Sequence, residues 1–302
     1  MKTKKAGTKD MHVDIKPRLR NLQVATRYLT ATNFMGEYTS VFKGRGIEFV
    51  DYRAYQPSDD ASMIDWRASL RTGQTLVREY SEERNLNLLF MVDSSASMVF
   101  GSHEKLKHEY AAELVASMAM GTLSEGDCVG MHMFGKGVVA RVPPYVGRQQ
   151  AYLILKNLVN PNNYGGKCDF SKAIEETSAV LEKHSIVMFV SDFIGFTEKD
   201  ERFMKIAARK YDAVAIVVRD PRDNELPDGL NLITLEDPQG ERQMVIDSDR
   251  IRGDYAAAVK EELANLENFF HRNGIDHVFL DTSKPFIAPI IKFFRKRREK
   301  WR

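Results

Sequence analysis

From Asn85 onward, continuous apolar runs of strand length alternate with stretches whose apolar residues recur at helical spacing. Asn87-Leu-Leu-Phe-Met-Val-Asp93 and Ser185-Ile-Val-Met-Phe-Val-Ser-Asp192 share one design, a nearly unbroken apolar run closed by an acid. Runs without polar alternation mark strands buried on both faces. Between these two strands, Lys105–Leu123 places Leu106, Tyr110, Leu114, Val115 and Met118 on one helical face. Further helices are predicted over Gln149–Leu158, Ser171–Leu181, Glu198–Arg209, Tyr255–His271 and Pro285–Arg298. Strands are predicted over Cys128–Phe134, Tyr211–Val218 and Ile275–Leu280, with Val138–Val142 as a hairpin partner of the first. Alternating strands and helices imply crossover connections, and so an α/β fold with a mostly parallel sheet covered by helices on both faces. In such sheets ligands gather beyond the carboxyl ends of the strands, which is where Asp93 and Asp192 are expected.

The upstream third has a different texture. Pro17–Asn33 shows helical spacing, with Leu19, Leu22, Val24, Ala25, Tyr28 and Leu29 apolar. Gly36–Tyr80 holds short β-prone runs, Tyr38–Phe42, Glu48–Tyr55 and Thr75–Tyr80, broken by Gly44, Gly46, Pro57 and Gly73. This segment is expected to form a small N-terminal β-rich appendage. Trp66 is expected as its buried anchor, and Arg53, Arg67 and Arg71 as partners of Asp59, Asp60 and Asp65. Three parts result: residues 1–84, a main domain over 85–285, and a C-terminal basic helix or tail over 286–302.

Composition narrows the class. Of 302 residues, 43% are hydrophobic and 28% charged, an ordinary globular balance. Cys128 and Cys168 are the two cysteines, and neither lies in a CxxC pair, which argues against a structural zinc site and fits a reducing compartment. The opening MKTKKAGTKDMHVD lacks the apolar core of a signal peptide, and no stretch approaches the roughly 18 apolar residues of a membrane span. The expected location is cytoplasmic. A net charge of +2 gives no global pull toward nucleic acid. The charge is concentrated in Ile291-Lys-Phe-Phe-Arg-Lys-Arg-Arg-Glu-Lys-Trp-Arg302, which reads either as a final helix packing Ile291, Phe293 and Phe294 or as a docking tail for an acidic partner or an anionic membrane surface.

The candidate chemistry lies just past the first buried strand. Asp93-Ser-Ser95-Ala-Ser97 sets an acid and two hydroxyls at alternate positions, and alternate residues of an extended segment point the same way. Carboxylate and hydroxyl oxygens are hard ligands suited to Mg²⁺ or Mn²⁺. Asp192 can bring a second carboxylate, and a divalent cation would remove the repulsion between the two acids. Serine and aspartate also crowd ordinary turns, so DxSxS alone leaves a structural reading equally open.

Taken together, these residues resemble the metal-ion-dependent adhesion site of von Willebrand factor A domains, with DxSxS after one strand, a threonine in a later loop and an aspartate after a further strand. Asp93, Ser95, Ser97 and Asp192 match in type and order. The threonine position departs, because the loop reads Gly165-Gly-Lys167-Cys168-Asp169. A thiol is a soft, poor ligand for Mg²⁺, and Lys167 offers an ammonium that can stand in for part of the cation's charge. Upstream, Gly44-Arg-Gly-Ile-Glu-Phe49, Arg53-Ala-Tyr55, Ser58-Asp-Asp60, Ile64-Asp-Trp66, Arg71-Thr-Gly73 and Glu79–Glu83 resemble the signature of the domain-of-unknown-function 58 family. That resemblance implies a von Willebrand A-like domain after the signature, and association with a MoxR-type AAA+ ATPase and its client.

A binding module and an enzyme are thus in competition. Ser95 stands in no GxSxG elbow, position 95 lacks the second acid of aspartyl phosphatases, and Gly165-Gly-Lys167 lacks a P-loop frame. His103 and His108 lie too far round a helix for a joint metal site and are expected to face solvent. The favoured expectation is a non-catalytic module whose metal captures an acidic residue of a partner protein. The alternative is a metal-dependent hydrolase or phosphatase at Asp93 and Asp192.

Overall fold

A computed structural model describes residues 49–57, 59–80, 86–229, 232–236 and 243–300. The helix expected over Pro17–Asn33 and the strand over Tyr38–Phe42 lie outside the described residues.

Six strands form the main sheet: β3 (Asn87–Asp93), β4 (Cys128–Phe134), β5 (Val138–Tyr145), β6 (Ile186–Ser191), β7 (Asp212–Arg219) and β10 (Asp276–Asp281). Their order is β10-β7-β6-β3-β4-β5, parallel throughout except that β5 returns antiparallel on β4. The expected mostly parallel α/β sheet is therefore present.

The unbroken apolar runs are explained by which way alternate residues face. In β3, Leu88, Phe90 and Val92 enter one core, and Leu89 and Met91 enter the other. The first core is closed by α2 (Lys107–Ser124), α3 (Arg148–Leu158) and α8 (Ile287–Lys300), through Tyr110, Leu114, Ile154, Leu158, Ile290 and Phe294. The second is closed by α4 (Phe170–Ser178), α5 (Glu198–Lys210) and α7 (Ser248–Arg272), through Ile174, Met204, Leu266 and Phe270. Edge strand β5 alternates between covered and exposed positions instead.

The topology singles out one place. From β3 the chain moves to β4 on one side, whereas β6 lies on the other side of β3. Crossovers leaving in opposite directions open a crevice at the strand ends, where doubly wound sheets bind ligands. Asp93 ends β3, and Ser191 and Asp192 end β6, with Val92 paired to Val190 one residue earlier.

In the described part of the segment before the main sheet, two of the expected strands are present together with an unexpected helix. Strands β1 (Phe49–Ala54) and β2 (Leu76–Tyr80) pair antiparallel, but a helix, α1 (Trp66–Thr72), lies between them. Asp65 caps α1 by accepting from Arg67 N (3.0 Å) and Ala68 N (3.1 Å), and Gly73 ends it at φ +72°. Trp66 is not a buried anchor: it is 64% exposed, on the outer side of this short helix. The expected ion pairing holds for Arg53, which grips Asp59 through two bonds of 2.6 and 2.7 Å. Asp60 instead caps the following turn at Ser62 N.

Between Val218 and Tyr255, where no element is expected, the chain forms a one-turn helix, α6 (Pro221–Asn224), and a hairpin of β8 (Leu232–Glu236) and β9 (Gln243–Asp247). At the C-terminus the packing reading prevails for α8. Phe294 and Ile290 are buried, Phe293 and Ile291 are half-buried, and Arg297 is buried against Asp212 and Asp276. Lys292, Arg295 and Lys296 remain exposed. Among the described residues, no helix is long and apolar enough to cross a membrane.

Candidate functional site

The rim at the carboxyl ends of β3 and β6 is assembled by three loops tied through their backbones. Ser94 N donates to Phe134 O (2.8 Å), Ala96 N to Gly166 O (2.9 Å) and Gly165 N to Ser94 O (2.8 Å). Gly165 (φ +118°) and Gly166 (φ +74°) take conformations that side chains resist, which lets this loop lie along the DxSxS segment. Asp169 then starts α4 by accepting from Lys172 N (2.9 Å), and Cys168 is left facing Asp93.

Asp93 is fully buried. One carboxylate oxygen accepts from Ser95 N (2.9 Å) and the other from Ser191 Oγ (2.5 Å), while the Cys168 thiol points to that second oxygen from 3.7 Å. Ser95 Oγ and Ser97 Oγ lie 3.1 Å apart, both buried. Burial pushes the Asp93 carboxyl up to about 6, and the adjacent negative charge of Asp192 adds to this. Asp93, Ser95, Ser97, Cys168 and Asp192 thus cluster at one rim.

Sequence reasoning missed Lys107. This first-turn residue of α2 is 1% exposed, and its ammonium lies 2.7 Å from Asp192 Oδ2 and 2.8 Å from Asp223 Oδ2. Its partners come from 85 and 116 residues away, so no local spacing reveals them. One signal was available: a cation in the first turn opposes the helix dipole and needs an acid nearby. Lys167 is exposed, whereas Lys107 is buried and paired with Asp192 and Asp223. Asp223 is also held by Asp220 N (2.9 Å), and burial raises its carboxyl despite the ammonium. Asp220 ties in Ser102 through its N (2.8 Å) and Oγ (2.6 Å), and Thr282 Oγ1 (3.0 Å).

Two further features brace the rim. Phe193, directly after Asp192, is buried at φ +54°, a costly conformation for a non-glycine residue. It is held by stacking on Phe170 at 5.1 Å and by its N–H donating to Ser191 Oγ (2.9 Å). His108 does not face solvent as expected. It is half-buried, with Nδ1 3.3 Å from Met98 O and its ring 4.6 Å from that of Tyr164. His103 is exposed.

One pair of the candidate ligands meets a size test. An octahedral ion with bonds of about 2.1 Å puts adjacent ligand oxygens about 3.0 Å apart. The separation of Ser95 Oγ and Ser97 Oγ fits this. Charge points the same way: Lys107 is paired with Asp192 and Asp223, and Asp93 and Asp220 are further buried carboxylates at this rim, an excess of acid that a bound cation would offset. Cys168, at the position where the resembled motif has threonine, brings a soft sulfur rather than a hard oxygen to the set. Burial first, and then the charges of Asp93 and Asp192, push its thiol up, and the thiol donates to Asp93 from 3.7 Å. Among the described residues, the side-chain hydrogen bonds of Ser95, Ser97 and Cys168 run among themselves and to Asp93, and no imidazole hydrogen-bonds either hydroxyl.

A doubly wound α/β domain with a hydroxyl and carboxylate cluster at its switch point is the class these features define. The chain belongs to the family described as "Protein of unknown function DUF58", whose profile matches residues 51–265. It is 29% identical over 283 residues to uncharacterized protein Rv1480 of Mycobacterium tuberculosis H37Rv, covering 93% of this chain and 89% of that protein. Uncharacterized protein YeaD of Bacillus subtilis is 30% identical over 84 residues, covering 28% of this chain and 19% of that one. Among solved structures, BatB of Bacteroides thetaiotaomicron aligns with a TM-score of 0.47 at 16% identity, over 71% of this chain and all of that one. A von Willebrand factor type A protein of Catenulispora acidiphila aligns at 0.37 and 13% identity, over 73% of this chain and 43% of that one.

Proposed function

We propose that this protein is a metal-dependent protein-binding module in which Asp93, Ser95, Ser97 and Asp192 hold Mg²⁺ or Mn²⁺. The observation that carries the reading is the pair of buried hydroxyls 3.1 Å apart beside a buried, charge-strained carboxyl. An ion held there offers positive charge and an open position that an aspartate or glutamate of a partner can complete. The chain's own residues do the positioning. Ser191 and Ser95 N fix the Asp93 carboxylate, Lys107 and Ile194 N fix that of Asp192, and the loop at Gly165–Gly166 orients the DxSxS backbone.

The family resemblance nominates a MoxR-type AAA+ ATPase and its client as the partners to test first. Immobilised wild-type protein is expected to retain the ATPase in Mg²⁺ and to release it in EDTA, and Asp93→Ala or Ser97→Ala is expected to lose retention. Equal retention by wild type in EDTA and by both variants rejects the reading. Metal-dependent phosphate release from model phosphoesters, lost in Asp93→Ala, would favour the hydrolase alternative.

A further inference from the structure

A second cluster of metal-ligating side chains lies at the other end of the sheet. Glu267 and His271 are one turn apart near the C-terminus of α7, and so share a helical face. The chain reverses at Asn273–Gly274, and His277, near the start of β10, presents its ring to both. Glu267 Oε1 lies 3.9 Å from His271 Nε2 and 3.9 Å from His277 Nε2, and all three ligand atoms fall within 4.8 Å of one another. At 3.9 Å neither contact is a hydrogen bond. Three ligand atoms thus lie close together with no hydrogen bond among them, the two imidazoles meeting edge to face at 4.8 Å between ring centres.

His277 is prepared for ligation. Its Nδ1 lies 3.1 Å from the carbonyl oxygen of Ile275, which can only accept, so in the neutral ring the proton sits on Nδ1. That leaves the Nε2 lone pair toward Glu267, the outer-shell arrangement that orients metal-bound imidazoles. The His277 side chain is only 10% exposed, whereas His271 and Glu267 are 64% and 53% exposed. One ligand is rigid and two are free to adjust. Bonds of about 2.0–2.1 Å in a tetrahedral site set ligand atoms about 3.3–3.4 Å apart, so the two Glu267 contacts need to close in by about half an ångström and the two imidazole nitrogens by up to about 1.4 Å, movements the exposed Glu267 and His271 side chains can make.

We infer that Glu267, His271 and His277 form a binding site for a late transition-metal ion of the Zn²⁺ class, with three protein ligands and a fourth position open to solvent. Two imidazoles and a carboxylate suit zinc and disfavour magnesium. The site links α7 to the sheet's edge strand β10, and is separate from the all-oxygen cluster at the opposite rim.

The test is calorimetric titration of the EDTA-stripped full chain with ZnCl₂ in excess Mg²⁺. One zinc per chain is expected, with affinity falling about 10- to 100-fold in His271→Ala and Glu267→Gln. Both side chains are largely exposed, so neither variant threatens folding. Zinc is also expected to raise the melting temperature of wild type and not of His271→Ala. Undiminished zinc affinity in a His271→Ala/Glu267→Gln double variant overturns the inference, as does a zinc signal abolished by Cys168→Ser or Cys128→Ser.

Discussion

Replacing Lys107 with Met removes the one cation that, among the described residues, is ion-paired with Asp192 and Asp223, while keeping most of the side chain's volume. The ammonium is 1% exposed and sits 2.7 and 2.8 Å from the two carboxylates. Removing one partner of a buried ion pair costs about 3–5 kcal/mol, because the remaining charge is left buried and uncompensated. Two carboxylates are orphaned here, which places Lys107→Met toward the upper part of that range. Part is recovered if one acid takes up a proton. At roughly 2–4 °C per kcal/mol for a domain of this size, the melting temperature should fall by roughly 6–20 °C. The assay is urea and thermal unfolding in EDTA at pH 7, for wild type, Lys107→Met and Lys107→Met/Asp223→Asn. The double variant should recover a substantial share of the loss, since it neutralises one orphaned acid. A loss below about 1 kcal/mol in EDTA, with no recovery in the double variant, would refute the view that this ammonium neutralises the rim.

Other consequences follow from particular residues. Cys168→Thr replaces a thiol beside Asp93 with a hard hydroxyl oxygen, and calorimetry should show Mg²⁺ affinity rising about tenfold, equivalent to about 1.4 kcal/mol. His132 is buried on β4 with Nδ1 2.9 Å from Thr177 Oγ1, and burial depresses its imidazole to about 4. The fold therefore favours the neutral ring, so this contribution is complete above pH 6.5 and is lost as pH falls from 6.5 toward 4. The expected loss is about 2 kcal/mol after allowing for partial solvation, and it should vanish in His132→Gln when stability is measured across that range. Phe294→Ala empties a fully buried site beneath α8 and should cost about 3–5 kcal/mol in urea unfolding, whereas Lys296→Ala on the exposed face should cost less than about 0.5.

Much of the fold was legible because burial on both faces leaves a strong mark on sequence. The apolar runs at Leu88–Val92 and Ile186–Val190 had one compatible setting, the interior of a covered sheet, and the acids closing them had to emerge at its rim. What escaped was held by caps or by distant contacts rather than by apolar periodicity. Helix α1 is set by Asp65 and Gly73 at its ends, while Trp66 and Leu70 stay exposed, so no stripe announces it. The first turns of α7 start from an Asp247 cap over Ser-Asp-Arg-Ile-Arg-Gly-Asp, a polar stretch with almost nothing to bury. The hairpin of β8 and β9 leaves Leu232, Met244 and Val245 exposed, so its alternation does not follow a core. At the rim, the carboxylates and hydroxyls stood in a recognisable order, but Lys107 read as an ordinary helix lysine. Only the fold brings Asp192 and Asp223 to it.

The most direct test is to soak crystals of the protein with Mn²⁺ and record anomalous diffraction. The account predicts a strong peak at the β3–β6 rim, within about 2.2 Å of Ser95 Oγ and Ser97 Oγ, and its disappearance in Ser97→Ala. A rim with no anomalous peak at saturating Mn²⁺, with Lys107 still bridging Asp192 and Asp223, would contradict it.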